Sequence, residues 1–226
     1  MRRGLRVLGA ALVACGVVVL VWALVVWRWQ DPFTALYTKV QQNRLERQYD
    51  RRLAGYDAPQ VQRDSVAAVR RAIAREARSY RRRAHRGEAI GRIVVPRLHL
   101  SMVVVEGTDE ASLEKGPARD RRTYMPGERR LVYIAGHRTT FLAPFAHIER
   151  LRPGDRVTVQ MPYGTFVYRI SGHRIVPANA MYVLRSPRHE LLALQACHPR
   201  FFATHRYIAY AVPIRVLPRH GPAYAE

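Results

Sequence analysis

Residues 191–199 read LLALQACHP, and an arginine follows at position 206. Six of the seven residues from 191 to 197 are apolar, which is typical of a β-strand buried on both faces, although a run this short also fits part of a helix. Pro199 ends the run, because proline has no N–H to donate to a β-ladder. A second apolar and aromatic run at residues 207–212 indicates the next strand.

These two runs predict an antiparallel pair of strands joined by a loop. In that pairing Cys197 ends one strand and Arg206 begins the next. Because paired strands lie about 5 Å apart, an arginine side chain can reach the sulfur atom. A guanidinium group beside a thiol favours the thiolate, which is the nucleophilic form of cysteine. The pair therefore predicts a reactive cysteine.

From residue 89 onward, the chain has the pattern of a mainly β domain. Short apolar runs bounded by turn residues predict strands at 90–95, 100–106, 131–135, 157–161 and 166–170, with weaker candidates at 175–176 and 181–184. Residues 162–164, Pro-Tyr-Gly, indicate a hairpin, and helical turns are expected at 109–115 and 144–151. About eight short strands with little helix predict a closed or nearly closed β-barrel. The predicted domain covers residues 89–217, and a tail of residues 218–226 follows.

Residues 1–30 have the features of a membrane anchor. Arg2, Arg3 and Arg6 precede twenty-one uncharged residues, 7–27. As a helix, that stretch spans about 32 Å, which is enough for the core of a bilayer. The basic N-terminus predicts one pass through the cell membrane, with the N-terminus inside and the domain outside the cytoplasm. The alternatives are a cleaved signal peptide and a lipoprotein cleavage box at Cys15, but the apolar run is long for either.

Residues 31–88 are rich in arginine. Between residues 28 and 88, fifteen Lys and Arg stand against seven Asp and Glu, and the whole chain has a formal net charge of +21. Apolar residues at helical spacing predict two helices, 33–54 and 65–84, separated near residues 55–59, with Ser65 as the N-cap of the second. The simplest interpretation is a helical spacer that lifts the domain off the membrane; a regulatory or partner-binding arm is the alternative.

The positive charge limits the classes of partner. Nearly all of it is arginine, since only Lys39 and Lys115 are lysines, and the simplest interpretation of that bias is a GC-rich genome. The functional interpretation is attraction to polyanions: anionic lipids, wall polymers or nucleic acid. Because no nucleic-acid-binding motif accompanies the charge, we expect no nucleic-acid partner.

The predicted chemistry centres on Cys197. The only other cysteine, Cys15, lies in the predicted membrane helix, so Cys197 has no disulfide partner within the chain. His137 follows a glycine at the end of another predicted strand. A thiol, an imidazole and a guanidinium suffice for acyl transfer: the thiolate attacks a carbonyl, the histidine moves the proton, and the arginine offsets the charge of the oxyanion.

Two other interpretations of this cysteine are a buried, inert thiol and a metal site. The metal site would combine Cys197 with His198 and His137, but no paired ligand spacing of the kind found in zinc sites is present in the sequence. We therefore expect no metal and no other cofactor. Arg138 and Arg200 are further arginines near the predicted site that could serve a carboxylate.

The motifs around these residues resemble those of the sortases, the cysteine transpeptidases of Gram-positive cell surfaces. The family signature is Thr-Leu-x-Thr-Cys, with Pro two residues later and Arg downstream; residues 193–199 read ALQACHP here, and Arg206 follows. Residues 135–145, AGHRTTFLAPF, resemble the histidine segment of the class E sortases of actinobacteria. The resemblance covers residues 89–216. It implies a sortase-like closed barrel with Cys197 as nucleophile, His137 as proton donor and acceptor, and Arg206 as the group that stabilises the oxyanion and orients the substrate.

The resemblance also implies a reaction and its partners. A sortase cleaves a C-terminal sorting signal, of the type Leu-Ala-x-Thr-Gly or Leu-Pro-x-Thr-Gly, between Thr and Gly through a thioester acyl-enzyme, and transfers the protein to a cell-wall amine. The expected partners are surface proteins with that signal, a peptidoglycan-precursor or other amine acceptor, and the cytoplasmic membrane. Two alternatives remain open: a hydrolytic cysteine peptidase on the same fold, and an inactive barrel that binds sorting signals or wall polymer.

Both threonines of the signature are alanine in this chain. Ala193 is expected only to pack. Ala196 directly precedes the nucleophile, where the family's threonine hydroxyl faces the substrate. We therefore interpret position 196 as a substrate-binding position that influences the choice of sorting signal.

Overall fold

The computed structural model describes residues 2–28, 32–57 and 65–226. Its helices are α1 (Arg2–Arg28), α2 (Pro32–Ala54), α3 (Val66–Arg83) and the single turn α4 (Glu110–Leu113). Its strands are β1 (Ala89–Val95), β2 (Leu100–Glu106), β3 (Ala118–Arg119), β4 (Leu131–Ala135), β5 (Arg156–Met161), β6 (Gly164–Pro177), β7 (Leu191–His198), β8 (His205–Pro218) and β9 (Tyr224–Ala225). Short 3₁₀ helices occupy Pro96–Leu98, Ile148–Arg150 and Met181–Leu184.

The first eight strands close into a barrel. Their order is β6-β5-β1-β2-β3-β4-β7-β8, and β8 pairs back onto β6. The β2–β3 and β4–β7 pairs are parallel, and β9 adds to the far end of β8. The predicted mainly β fold, a closed barrel of about eight strands with a helical N-terminal region, is therefore confirmed.

The structure corrects the sequence prediction at four segments. The weak candidate at residues 175–176 belongs to the same strand as residues 166–170, since β6 runs from Gly164 to Pro177. Residues 181–184 form a 3₁₀ helix instead of a strand. Val183 and Leu184 pack onto the outer face of the barrel, whereas Met181 and Tyr182 are exposed. The short strands β3 and β9 have no signal of their own, since two residues are held in extended form only by the strands beside them.

Strand β7 shows how the pleat distributes side chains between the two faces of the wall. Leu192, Leu194 and Ala196 belong to the interior core, whereas Ala193 packs in a cluster on the outer face. Successive residues of a strand point to opposite faces. Cys197 is therefore on the outer face, with Ala193.

Helix α2 covers part of the barrel wall. Its residues Leu45 and Tyr49 are buried in a cluster with Ala89, Val103, Val105 and Ala118 of β1 to β3. The hydroxyl group of Tyr49 donates to the carbonyl of Gln160 at 3.1 Å. The segment interpreted as a spacer thus packs onto the barrel, because its apolar stripe is buried there.

Helix α3 contributes to the interior core. Val69, Ile73, Ala77 and Tyr80 lie along one stripe of the helix and are buried in that core. Ser65 is its N-cap, and the Ser65 side chain accepts from the backbone N–H of Ala68, as the sequence predicts. The predicted break near residues 55–59 lies in part outside the described residues.

Helix α1 is the candidate membrane span. Within the described residues, it is the one helix that is long and apolar enough to cross a membrane, from Arg6 to Leu24. The described apolar side chains of this stretch are exposed. This is the surface that a lipid-facing helix would present.

Candidate active site

The three residues predicted to carry the chemistry lie at the ends of adjacent strands. In the parallel pairing of β4 with β7, Ala135 lies opposite Gln195, so that His137 and Cys197 each follow that pair by two residues. On the other side of β7, Cys197 lies directly opposite Arg206 of β8. The fold therefore brings an imidazole, a thiol and a guanidinium to one end of the β4-β7-β8 wall.

The guanidinium group of Arg206 is held beside this strand end. Directly opposed residues of an antiparallel pair project on the same face, so Arg206 shares the outer face with Cys197. Its Nη1 donates to the carbonyls of Ala203 and His205 at 2.7 and 2.9 Å. Because arginine has five N–H donors, these bonds fix the group while other donors can face a ligand. The side chain of His205 belongs to the alternate face and is exposed.

A strained loop positions His137. The ring of His137 packs against Phe141 with 5.0 Å between the centroids. Phe141, Leu142 and Ala143 all have positive φ angles of 53°, 59° and 37°, a region that is costly for residues other than glycine. Such backbone strain is commonly found at functional sites, where the surrounding structure enforces it.

The protonation state of His137 suits a base. Burial lowers the pKa of His137 below its ordinary value of 6.5, and the carboxylates of Glu114 and Glu110 oppose this shift. At pH 7 the ring is therefore mostly uncharged and can accept a proton. Its Nε2 is buried and has no hydrogen-bond partner among the described residues.

Arg138 braces the end of β7. Its Nη1 donates to the backbone carbonyl of Cys197 at 3.0 Å and lies 3.0 Å from Nδ1 of His198. Its Nη2 donates to Oε2 of Glu149 at 2.8 Å. Arg138 is only 6% exposed. Because this side chain starts one residue after His137 and ends on Cys197, it fixes the two predicted catalytic residues relative to each other.

His198 accepts the hydrogen bond from Nη1 of Arg138 as a neutral ring. Burial and the positive charge of Arg138 lower the pKa of His198 below its ordinary value, so Nδ1 can act as an acceptor. His198 thus belongs to the set of contacts through which Arg138 holds the end of β7, which we call the Arg138 brace.

Sequence reasoning missed the brace. It treated Arg138 as one of several arginines that could serve a substrate carboxylate. The position of Arg138 next to His137 was its only signal, because its partners Glu149 and Cys197 lie 11 and 59 residues away along the chain.

The structure also corrects the interpretation of Ala196. Its side chain is 0% exposed and lies in the interior core, on the face of β7 opposite to Cys197. A side chain at position 196 packs inside the barrel, because the strand alternation turns it away from the face that carries the thiol. Ala193 packs on the outer face, as expected.

A groove follows the outer face of β7. A cavity of about 100 Å³ includes Tyr133, Gln195 and Arg206 in its lining. A second cavity of about 380 Å³ includes Leu131, Leu191 and Tyr210. Val183 lines both cavities, which makes them neighbours. We call this pair of cavities the β7 groove; it runs toward the strand end that carries Cys197.

Comparison with known proteins gives consistent matches. A family model described as the sortase domain matches residues 93–214. Sortase D of Bacillus subtilis is 33% identical over 129 residues, which are 55% of this chain and 63% of that protein. Sortase SrtE1 of Streptomyces coelicolor is 27% identical over 149 residues, or 59% and 42% of the two chains. This chain thus spans less than two thirds of the length of either relative.

A solved structure supports the fold. A sortase D5 transpeptidase from Clostridium perfringens superposes with a TM-score of 0.63 at 21% sequence identity. The superposition covers 77% of this chain and 99% of that one. At this level of identity the likeness concerns the arrangement of the chain and not its specificity.

Proposed function

This chain belongs to the sortase family, and on that premise we propose that it is a membrane-anchored cysteine transpeptidase. It cleaves a C-terminal sorting signal, of the Leu-Ala-x-Thr-Gly or Leu-Pro-x-Thr-Gly type, between Thr and Gly, and transfers the protein to a cell-wall amine. The observation that carries this proposal is the placement of His137, Cys197 and Arg206 at the ends of three adjacent strands of the family's barrel.

The first half of the reaction forms an acyl-enzyme. His137 takes the thiol proton of Cys197, and the thiolate attacks the carbonyl carbon of the threonine. Arg206 faces the oxyanion and offsets its charge. The C–N bond to glycine then breaks, and the imidazolium of His137 gives its proton to the leaving amine. The lowered pKa of His137 supports this role, because it makes the ring ready to lose the proton again.

The second half transfers the acyl group. The acceptor amine attacks the thioester carbon while His137 takes a proton from the amine nitrogen. The C–S bond breaks, an amide forms, and the thiolate of Cys197 recovers its proton from His137. Surface proteins with a sorting signal are the acyl donors in this scheme, and a peptidoglycan precursor or another amine is the acceptor.

The β7 groove is the proposed site for the sorting signal. Val176, Val183 and Leu184 contribute apolar groups to the smaller cavity, which suits the leucine of the signal. The leucine of the signal lies three residues before the threonine, which is about 10 Å in an extended chain. That distance matches the smaller cavity, because its lining includes Gln195, two residues before Cys197, and Arg206.

We also propose that α1 spans the cell membrane once, with the N-terminus inside and the barrel outside. Its length and apolar surface between Arg6 and Leu24 and the arginines before it support this topology. A thiol reagent that cannot cross membranes should label Cys197 on intact cells. Labelling only after lysis would place the barrel inside.

The experiment that tests the proposed reaction traps the acyl-enzyme. We expect the full-length protein, incubated with a Leu-Ala-x-Thr-Gly or Leu-Pro-x-Thr-Gly peptide, to gain the mass of the peptide up to threonine. The Cys197→Ala variant should gain none. With an amine added, ligated product should exceed hydrolysed product.

Two other results would contradict the proposal. Hydrolysed product alone, in the presence of the amine, identifies a peptidase. Peptide binding without an acyl-enzyme, for both signal types, identifies a barrel that only binds.

A further inference from the structure

The outward face of α2 is apolar near its start. Residues three and four apart lie on one side of a helix, and four large apolar residues follow that spacing. With their exposed fractions, they are Phe33 (72%), Leu36 (65%), Tyr37 (42%) and Val40 (43%). The opposite side of the helix, with Thr38, Leu45 and Tyr49, is buried. We call these four residues the α2 stripe; it is turned away from the barrel strands that α2 covers.

The same face becomes basic further along the helix. Arg44 and Arg47 lie four and seven residues after Val40, in line with the α2 stripe, and both are exposed. Apolar side chains with arginines beside them can contact the acyl boundary and the anionic head groups of a bilayer together. The apolar groups enter the boundary of the acyl chains, and the arginines reach the head groups.

The α2 stripe begins directly after the candidate membrane span. Helix α1 ends at Arg28 and α2 starts at Pro32, so three residues separate them. The ring of Phe33 lies 5.8 Å from that of Trp22 in α1. If α1 spans the bilayer, the first turns of α2 are at the bilayer surface, within reach of lipid.

The α2 stripe is also joined to the loop of His137. Tyr37 packs edge-on against Phe141, with 6.4 Å between the ring centroids, and Thr34 Oγ1 accepts from the backbone N–H of Phe141 at 3.1 Å. Phe141 in turn packs against His137. Whatever surface the stripe rests on therefore lies close to the mouth of the active site.

We propose that the α2 stripe docks on the surface of the lipid bilayer and holds the mouth of the active site there. This inference rests on the membrane anchor of the proposed function. It commits to lipid as the occupant, because the stripe continues from the membrane span and is followed by arginines on the same face. A substrate tethered in the same bilayer then meets Cys197 at a high effective concentration.

A single-label experiment tests the docking. The full-length chain with Cys15→Ala and Cys197→Ala carries one new cysteine, Leu36→Cys, labelled with the environment-sensitive dye NBD. It is inserted into vesicles of neutral and anionic phospholipids, with or without brominated acyl chains. We expect blue-shifted emission and about a twofold loss of intensity with brominated lipid, since docked side chains reach the acyl boundary.

The matched control is a label at Val66, in the Val66→Cys variant. Val66 is 49% exposed and starts α3. Helix α3 lies near the end of β8 that is distant from Arg206. Arg70 of α3 donates to the carbonyl of Ala225 in β9 at 3.0 Å, and β9 pairs with that end of β8. We expect emission typical of water and no quenching at this position.

The outcomes separate the docking from the anchor. If the protein floats with the vesicles but the label at position 36 behaves like the label at position 66, the docking is overturned and the anchor stands. If the protein does not float, the anchor fails, and the docking fails with it. A blue shift without quenching by brominated lipid also overturns the docking, because it shows a protein occupant such as a second copy of the chain.

A turnover measurement supplies an independent readout. In the otherwise unchanged chain, the double substitution Leu36→Ser and Val40→Ser should lower turnover of a lipid-tethered sorting peptide about tenfold, while turnover of the same peptide free in solution stays the same. Val66→Ser should change neither rate. An equal loss with both peptides would show that the stripe acts on the fold of the site and not through lipid.

Discussion

The barrel wall has two outer faces that differ in their cover. Over β1, β2 and β3, helix α2 lies against the wall, and the Gln42 side chain both donates to the Val103 carbonyl and accepts from the Val103 N–H. Over β4, β7 and β8, the 3₁₀ helix Met181–Leu184 covers part of the wall, and the β7 groove stays open beside it.

The two faces of one sheet therefore have different roles: the covered face stabilises the fold, and the open face carries the predicted catalytic residues. On the covered face, burial of apolar side chains and satisfied backbone groups hold the domain together. On the open face, the wall keeps polar residues such as Gln195 and Arg206 in reach of a ligand. Substitutions on the covered face should therefore affect unfolding, and those on the open face should affect turnover.

The largest effect is expected at Arg206 on the open face. Arg206→Lys keeps the charge but loses the planar fork of donors. Loss of one preorganised oxyanion donor typically costs about a hundred- to a thousandfold in rate, and we expect that loss with a nearly unchanged melting temperature. The measurement is peptide turnover and thermal unfolding of the full-length protein.

His205→Ala is the matched control for Arg206→Lys. Because His205 projects from the alternate face of β8, its removal should lower turnover less than about fivefold. An inactive His205→Ala beside an active Arg206→Lys would contradict the register of β8 and the oxyanion role of Arg206.

The covered face should respond in stability. Leu45→Ala removes a side chain that is 6% exposed and should lower the free energy of unfolding by about 2–4 kcal/mol, with turnover per folded molecule unchanged. Leu36→Ala, on the exposed side of the same helix, should cost less than about 0.5 kcal/mol in detergent. Equal stabilities of the two variants, measured by urea unfolding, would show that α2 is a detached spacer.

A smaller effect is expected at Arg138, beside the open face. Arg138→Gln removes the brace between the His137 loop and the carbonyl of Cys197, and a bond to a charged group contributes about 1.5–3 kcal/mol. We expect about a tenfold lower kcat, a nearly unchanged KM, and normal alkylation of the Cys197 thiol by iodoacetamide.

Arg150→Gln is the control for Arg138→Gln, since Arg150 is an exposed arginine that lies next to Glu149 in sequence. It should leave kcat unchanged. If Arg138→Gln instead raised KM at constant kcat, Arg138 would bind substrate and would not act as a positioning residue.

The sequence by itself determined the longer strands, the two Arg-rich helices, the apolar N-terminal stretch and the identity of Cys197, His137 and Arg206 as candidates. These features depend on local patterns, because the alternation of apolar residues and the turn residues beside them act over a few neighbours. Local pairing was also sufficient to place Arg206 opposite Cys197, since the two strands follow each other along the chain.

Only the tertiary structure decided which residues meet across long separations. The parallel pairing of β4 with β7 aligns His137 with Cys197, and the Arg138 brace connects residues 59 positions apart. The burial of Ala196, the short strands β3 and β9, and the packing of α2 on the barrel depend in the same way on partners distant in sequence. A local sequence pattern does not identify such partners, because the burial of a side chain depends on the whole fold around it.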